Sequence, residues 1–120
     1  MNISQENIAG FTTAFPFQVI EGDVFEWVPK FPTEGKLLVL LNPPYGNRLA
    51  KDTSIAQLFS RLGFYMQQLT RANSDRILGG CICPDERSWR GFLKELHHPT
   101  AETYHFTHGG KEMRLVRWQG

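Results

Sequence analysis

The chain has 120 residues, of which 41% are hydrophobic and 21% charged, with 13 Lys and Arg against 12 Asp and Glu for a net charge of +1. This length and composition are typical of one globular domain with one core, and the near-neutral charge argues against a domain that grips nucleic acid mainly through its phosphates. No apolar run approaches the about 18 residues of a membrane span, and the N-terminus lacks a signal-peptide pattern, so we expect a cytoplasmic protein without a membrane anchor.

Turn-forming residues divide the first part of the chain into short elements. Asn7–Gly10 is typical of a last helical turn closed by a glycine. Phe17–Ile20 is predicted to be a strand that ends in the turn Glu21–Asp23. Asp23 would then lie at the carboxyl end of a strand, where its side chain either contacts a ligand or stabilises its own turn.

An uninterrupted apolar run, Leu37–Leu41, leads directly into Asn42-Pro43-Pro44-Tyr45. A run of strand length without alternation is typical of a parallel-sheet strand that is covered on both faces. The two prolines stop the strand, and Pro43 keeps Asn42 out of the helical region. The sequence therefore predicts an amide and an aromatic ring on a stiff turn at the carboxyl edge of a sheet, where open α/β sheets bind ligands.

Two amphipathic helices are predicted in the second half of the chain. In the first, apolar residues recur at helical spacing over residues 55–69, and the helix ends at Asn73. The second begins at Asp85 or Ser88 and extends to about residue 96, with its apolar residues on one face.

The strand predicted at Ile77–Cys83 contains Gly79 and Gly80, which allow a bulge or close packing. Cys81 and Cys83 would share one face of this strand, where we expect buried free thiols. Without paired histidines nearby they make a poor zinc site, so no metal site is expected.

The final residues are predicted to form an antiparallel hairpin. Glu102–Phe106 and Glu112–Trp118 alternate in hydrophobicity on either side of the turn His108–Gly110. The complete order predicts a single α/β domain over residues 1–120, with a mostly parallel sheet that ends in an antiparallel hairpin.

The predicted turn at Asn42 suits a planar ligand with an exocyclic amine. The side-chain oxygen of Asn42 and the carbonyl of Pro43 would each accept one N–H of that amine, and Tyr45 would stack on the ring, a contact worth about 1–3 kcal/mol per base. An amine held in this way directs its lone pair, which is the requirement for in-line methyl transfer. The structural alternative is a proline-stopped strand end with a loop tyrosine.

Asn42-Pro43-Pro44-Tyr45 resembles the catalytic motif of the S-adenosylmethionine-dependent amino-methyltransferases. The extension Gly46-Asn47-Arg48-Leu49 and the following helix are similar to the RNA guanine-N2 methylases, which include large-subunit rRNA enzymes. The order of elements resembles the second, catalytic half of their Rossmann-like domain.

The resemblance implies methyl transfer from S-adenosyl-L-methionine to an exocyclic amine of a base, with guanine N2 in RNA first, and hence a role in rRNA processing. Because the chain is nearly neutral, most of the RNA backbone would be bound elsewhere. The implied site residues are, for catalysis, Asn42, Pro43, Pro44 and Tyr45; for the cofactor, Asp23 and Asn42; and for the substrate, Tyr45, Gly46 and Arg48. Arg48 either contacts a phosphate or caps a neighbouring helix end.

The family's glycine-rich cofactor loop has no counterpart in this chain, because nothing that precedes Asn7 supplies it. Three explanations follow: the chain is part of a longer methylase, it is a half that pairs with another chain, or it is a remnant that has lost activity. We therefore expect a missing N-terminal half or a partner chain, with a homodimer as a further arrangement. The alternative function is a non-catalytic α/β interaction module.

Overall fold

The computed structural model describes residues 20–31, 35–43 and 55–120 of the chain. In the first of these ranges, Val24–Glu26 form a short 3₁₀ turn. The regular elements that follow are β1 (Leu37–Leu41), α1 (Ile55–Ala72), β2 (Ile77–Cys83), α2 (Glu86–Leu96), β3 (Glu102–His108) and β4 (Lys111–Gln119).

The strands form one four-stranded sheet in the order β1-β2-β4-β3. β1 and β2 are parallel, with Leu37 opposite Ile77 and Leu41 opposite Cys81. β4 is antiparallel to both of its neighbours, β2 and β3. β1, β2 and β3 therefore run in one direction in a mixed sheet, and the predicted α/β fold with a C-terminal antiparallel hairpin is confirmed.

The second helix begins at its predicted cap. The carboxylate of Asp85 accepts the backbone N–H of Ser88 at 2.8 Å, which satisfies one of the free donors of the first helical turn. The helix therefore starts at Glu86, and a start at Ser88 is wrong because that residue lies inside the helix. The hairpin turn is also as predicted, since Gly109 and Gly110 have φ of 58° and 80°, the positive values that a two-residue type I′ turn requires.

Several predicted features lie outside the described residues. They are the helix end at Asn7–Gly10, the first three residues of the strand predicted at 17–20, and the four residues Pro44, Tyr45, Gly46 and Arg48. Ile20, the last residue of that predicted strand, lies in an irregular segment.

Both helices pack on one face of the sheet and form the core with it. The largest side chains with no exposed surface come from both layers: Trp118 from β4, Phe59 and Met66 from α1, and Phe92 from α2. Cys81 and Cys83 are buried free thiols, as predicted. A hydrogen bond with the neighbouring Cys83 thiol, together with burial, raises the pKa of Cys81, so this thiol stays protonated.

The opposite face of β1 is open, which corrects the prediction that this strand is covered on both faces. Leu37, Val39 and Leu41 pack against the core, whereas Leu38 is 64% and Leu40 71% exposed. An apolar run of this kind is found in strands covered on both faces. The sequence does not show whether the layer that covers the second face belongs to this chain.

Candidate functional site

Asn42 and Pro43 lie at the carboxyl end of β1, where the sequence placed the site. The pairing of the two strands ends with Leu41 opposite Cys81, two residues before the end of β2, so Asn42 and Pro43 follow directly at the carboxyl edge of the sheet. Asn42 is exposed and Pro43 is buried. The Asn42 amide makes no hydrogen bond to another residue of the described ranges.

Asp23 has the turn-stabilising role that the sequence offered as one of its two interpretations. One of its carboxylate oxygens accepts the backbone N–H of Phe25 at 2.9 Å and so caps the 3₁₀ turn. A hollow of about 460 Å³ lies beside it, with walls that include Ile20, Val24 and Trp27. Within the described part of the chain, no hydrogen bond joins Asp23 to Asn42, so the structure does not bring the two residues into direct contact.

The segment that carries Asp23 is held against the first helix. The Tyr65 hydroxyl donates to the carbonyl of Trp27, and the rings of Tyr65 and Phe25 meet edge to face with centroids 6.0 Å apart. Burial raises the pKa of Tyr65, which keeps this hydroxyl a donor. Trp27 itself is 46% exposed, so the segment is anchored here by its backbone rather than by this indole.

The connection from that segment into β1 is held by a polar pair that sequence reasoning missed. Asn73, fully buried, accepts the N–H of Phe31 at 2.8 Å and donates to the carbonyls of Pro29 and Leu69 at 3.0 and 2.8 Å. Arg76 donates to the carbonyls of Phe31 and Gly35, both at 2.9 Å. The sequence predicted Asn73 only as a helix end, because Pro29 and Phe31 lie more than 40 residues earlier in the chain.

Replacing Asn73 with alanine is expected to lower the free energy of unfolding by about 2–4 kcal/mol. The change takes the Asn73 amide away from the N–H of Phe31 and the carbonyl of Pro29 in a partly buried site, and each unsatisfied group costs about 1–3 kcal/mol when water does not reach it. Urea denaturation followed by circular dichroism measures the loss. Gln68→Ala, an exposed change on the same helix, should stay within about 0.5 kcal/mol of the unmodified protein; equal effects of the two changes would contradict the anchoring role.

Comparison with curated proteins supports the relationship that the motif predicts. A stretch of 51 residues, 42% of the chain, is 37% identical to Ribosomal RNA large subunit methyltransferase K/L of Stutzerimonas stutzeri (strain A1501). The chain is similar to an RNA methyltransferase. That stretch covers 7% of the relative's length, so the chain spans only a small part of it.

No protein-family model matches the chain, and no solved structure matches it. The similarity therefore supports an RNA methyltransferase family, while the roles of Asn42, Tyr45 and their neighbours stay predictions. Within residues 20–31, 35–43 and 55–120, no cluster of three potential metal ligands is found among His, Cys, Asp and Glu. No helix in these ranges is long and apolar enough to cross a membrane.

Proposed function

We propose that the chain is the catalytic half of an S-adenosylmethionine-dependent methyltransferase that acts on an exocyclic amine of a nucleic-acid base, most specifically guanine N2 in RNA. The observation that carries the proposal is the exposed amide of Asn42 beside the buried Pro43, at the carboxyl edge of two parallel strands. This edge is where open α/β sheets bind ligands. The similarity to an rRNA methyltransferase supports RNA as the substrate class.

The residues of the turn act by positioning. The side-chain oxygen of Asn42 and the carbonyl of Pro43 accept the two N–H groups of the target amine, and Tyr45 stacks on the base, with Gly46 and Arg48 completing the substrate side. Buried Pro43 keeps its carbonyl fixed, so little reorganisation is needed when the substrate binds. A base must leave its helical stack, or be single-stranded, to reach this turn.

No strong general base is required in this mechanism. The amine becomes acidic only as its new bond to carbon forms, so its proton passes to solvent after that bond is made. Asn42 and Pro43 therefore contribute acceptors rather than a base.

The cofactor S-adenosylmethionine would supply the electrophilic methyl group. Asp23 would hold the adenine amine of this cofactor, with Asn42 at its reactive end. The apolar hollow beside Asp23 and the exposure of its carboxylate fit an adenine ring with one amine. Capping of the 3₁₀ turn occupies one oxygen of Asp23 and leaves the other for this contact.

The missing N-terminal half, or a partner chain that replaces it, would cover the open face of β1. Leu38 and Leu40 are exposed there on a strand that has a described neighbour on one side only. A homodimer is the other arrangement that covers them. The second candidate function is a non-catalytic interaction module, which would bury the same exposed leucines on a partner. The similarity to a methyltransferase does not favour it. In either case we place the protein in the cytoplasm.

The test is methyl transfer by the protein purified from its host under native conditions, so that any partner chain stays bound. Methyl-labelled S-adenosylmethionine and guanosine-containing single-stranded RNA should give N2-methylguanosine, identified by mass spectrometry after nuclease digestion. Titration with S-adenosylhomocysteine in a calorimeter checks cofactor binding independently. A methylated adenine would overturn the choice of guanine, and the absence of both cofactor binding and transfer would overturn the enzyme.

A further inference from the structure

A groove of about 370 Å³ opens beyond the end of β2, at the same edge of the sheet as Asn42. Its lining includes Pro84, Trp89 from the start of α2, and His105 and Arg114 from the two hairpin strands. Its volume lies within the range of small-ligand sites, about 300–1,000 Å³. The turn at Asn42 does not use it.

Strand pairing places this groove next to the proposed amine-binding turn. Arg114 is opposite Cys83 in the β2–β4 register, and continuing the β1–β2 register two positions past the Leu41–Cys81 pair would bring Pro43 beside the same Cys83. Neighbouring strands are about 4.8 Å apart, so the backbones of Pro43 and Arg114 are separated by about 10 Å. A nucleotide adjacent to a base held at Asn42 is within reach of the groove.

One wall of the groove combines an indole with a guanidinium group. The guanidinium carbon of Arg114 lies 4.6 Å from the centroid of the Trp89 ring, and both residues are half-buried. The guanidinium carbon of Arg90 lies 5.1 Å from the centroid of the same ring, but Arg90 does not line the groove. Stacked indole and guanidinium planes are surfaces on which nucleobases pack.

Each carboxylate around the groove has a neighbour other than Arg114, and Glu86 forms a close ion pair. Asp85 accepts both the N–H and the hydroxyl of Ser88 at 2.8 Å, Glu86 pairs with Arg90 at 2.7 Å, and Glu112 lies 3.7 Å from His105. Arg114 has no carboxylate partner among the described residues. Arg114 is the one guanidinium among the described residues that line the groove, and it remains free to bind a ligand directly.

We propose that this groove binds the nucleotide next to the target base, with its phosphate on Arg114 and its base against the Trp89–Arg114 stack. The proposal rests on the proposed function, because that function supplies the RNA. Guanidinium groups recognise phosphate through paired hydrogen bonds, and aromatic stacking accepts any base. One such contact agrees with a nearly neutral chain whose other backbone contacts lie elsewhere.

The test compares two arginines that lie over the same ring. Binding of a fluorescein-labelled single-stranded RNA hexamer to the full chain is measured by fluorescence anisotropy over a range of salt concentrations. Arg114→Gln should weaken binding about three- to tenfold and reduce the salt slope by about 0.7, the value for one phosphate contact on a single strand. Arg90→Gln removes no contact with the groove and only frees the exposed carboxylate of Glu86, so it should weaken binding clearly less than Arg114→Gln.

A second variant separates stacking from charge. Trp89→Leu should weaken RNA binding while leaving the binding of inorganic tripolyphosphate unchanged, and circular dichroism confirms that each variant is folded. Equal effects of Arg90→Gln and Arg114→Gln, competition by tripolyphosphate as effective as by RNA, or no binding by the unmodified chain would each overturn the proposal.

The outcomes also distinguish this proposal from the proposed function. RNA binding that depends on Arg114, in a protein that transfers no methyl group, would support the groove and overturn the methyltransferase. Methyl transfer that depends on Asn42, with RNA binding unaffected by Arg114→Gln, would support the methyltransferase and overturn the groove as a nucleotide site.

Discussion

Replacing Asn42 with alanine is expected to lower methyl transfer by about two to three orders of magnitude and to change the stability of the fold very little. A preorganised hydrogen-bonding group that acts on the reacting atoms is typically worth a factor of about 10²–10³ in turnover. Asn42 is exposed and makes no hydrogen bond to another described residue, so its truncation leaves no cavity and strands no buried partner.

The measurement is the single-turnover rate on guanosine-containing RNA, together with the urea midpoint of the same preparation. Asn42→Asp keeps an acceptor oxygen but removes the amide N–H₂ and adds a negative charge, so its rate should lie between those of the unmodified protein and Asn42→Ala. Gln68→Ala, an exposed amide change on α1, should leave the rate unchanged. A near-normal rate for Asn42→Ala would remove this residue from the mechanism.

The elements that the sequence predicted well are those whose limits are set by local chemistry. Pro84 ends β2 because it has no N–H for the ladder, and Asp85 caps the helix that follows. Gly109 and Gly110 form the hairpin turn because both positions need positive φ. Such signals lie within a few residues of the structure they determine, so they can be seen without knowing the tertiary fold.

Features that depend on distant partners were missed or only partly predicted. β1 is covered on one face because both helices pack on that side of the sheet. The residues Leu37–Leu41 carry no information about where the helices pack. Asn73 was predicted as a helix end, yet its amide also holds the entry into β1 through Pro29 and Phe31. In both cases the deciding contact joins segments that are far apart in the sequence.

The candidate site shows the same division. The position of Asn42 at a carboxyl edge follows from the apolar strand and the prolines, and the structure places it there. The groove beside it was not predicted, since Trp89 and Arg114 come from a helix and a strand that meet only because β4, rather than β3, pairs with β2. The hairpin pattern indicates two paired strands but does not reveal which of them joins the sheet.

Replacing Gly79 with alanine is expected to lower the free energy of unfolding by about 3 kcal/mol or more, which is near the upper end for overpacking in a core. A Cβ at this position would lie 2.1–2.5 Å from three atoms of the Trp118 ring, far inside van der Waals contact. Gly79 and Trp118 are directly opposite in the β2–β4 register. The sequence allowed either a bulge or close packing here, and the structure shows close packing.

The indole has little room to move away from an added methyl group. Trp118 is fully buried, its ring centroid is 5.5 Å from that of Phe92, and its Nε1–H donates to the hydroxyl of Thr70 at 3.2 Å. The Thr70 hydroxyl in turn donates to the carbonyl of Met66 at 2.7 Å. Any shift of the ring would disturb this hydrogen-bonded chain as well as the packing between sheet and helices.

Gly80→Ala provides a matched control one residue along the same strand. Its Cβ would point to the open face, where the nearest atom is the Leu40 Cδ2 at 3.2 Å, on a side chain that is 71% exposed and free to rotate. We expect a change within about 1 kcal/mol, because strain is relieved by that rotation and alanine restricts the unfolded chain. Urea denaturation compares both variants with the unmodified protein.

A second substitution tests whether the ring itself causes the loss. Trp118→Phe removes the outer part of the indole that an alanine at position 79 would strike, so in a double mutant the two changes should cost less than the sum of their separate effects. If Gly79→Ala and Gly80→Ala cost the same, or if the double mutant is strictly additive, steric contact with Trp118 is not the reason for glycine at position 79. A positive coupling would show instead that close packing of this indole against β2 requires glycine at position 79, in the same pair of strands that places Cys83 opposite Arg114 at the carboxyl edge.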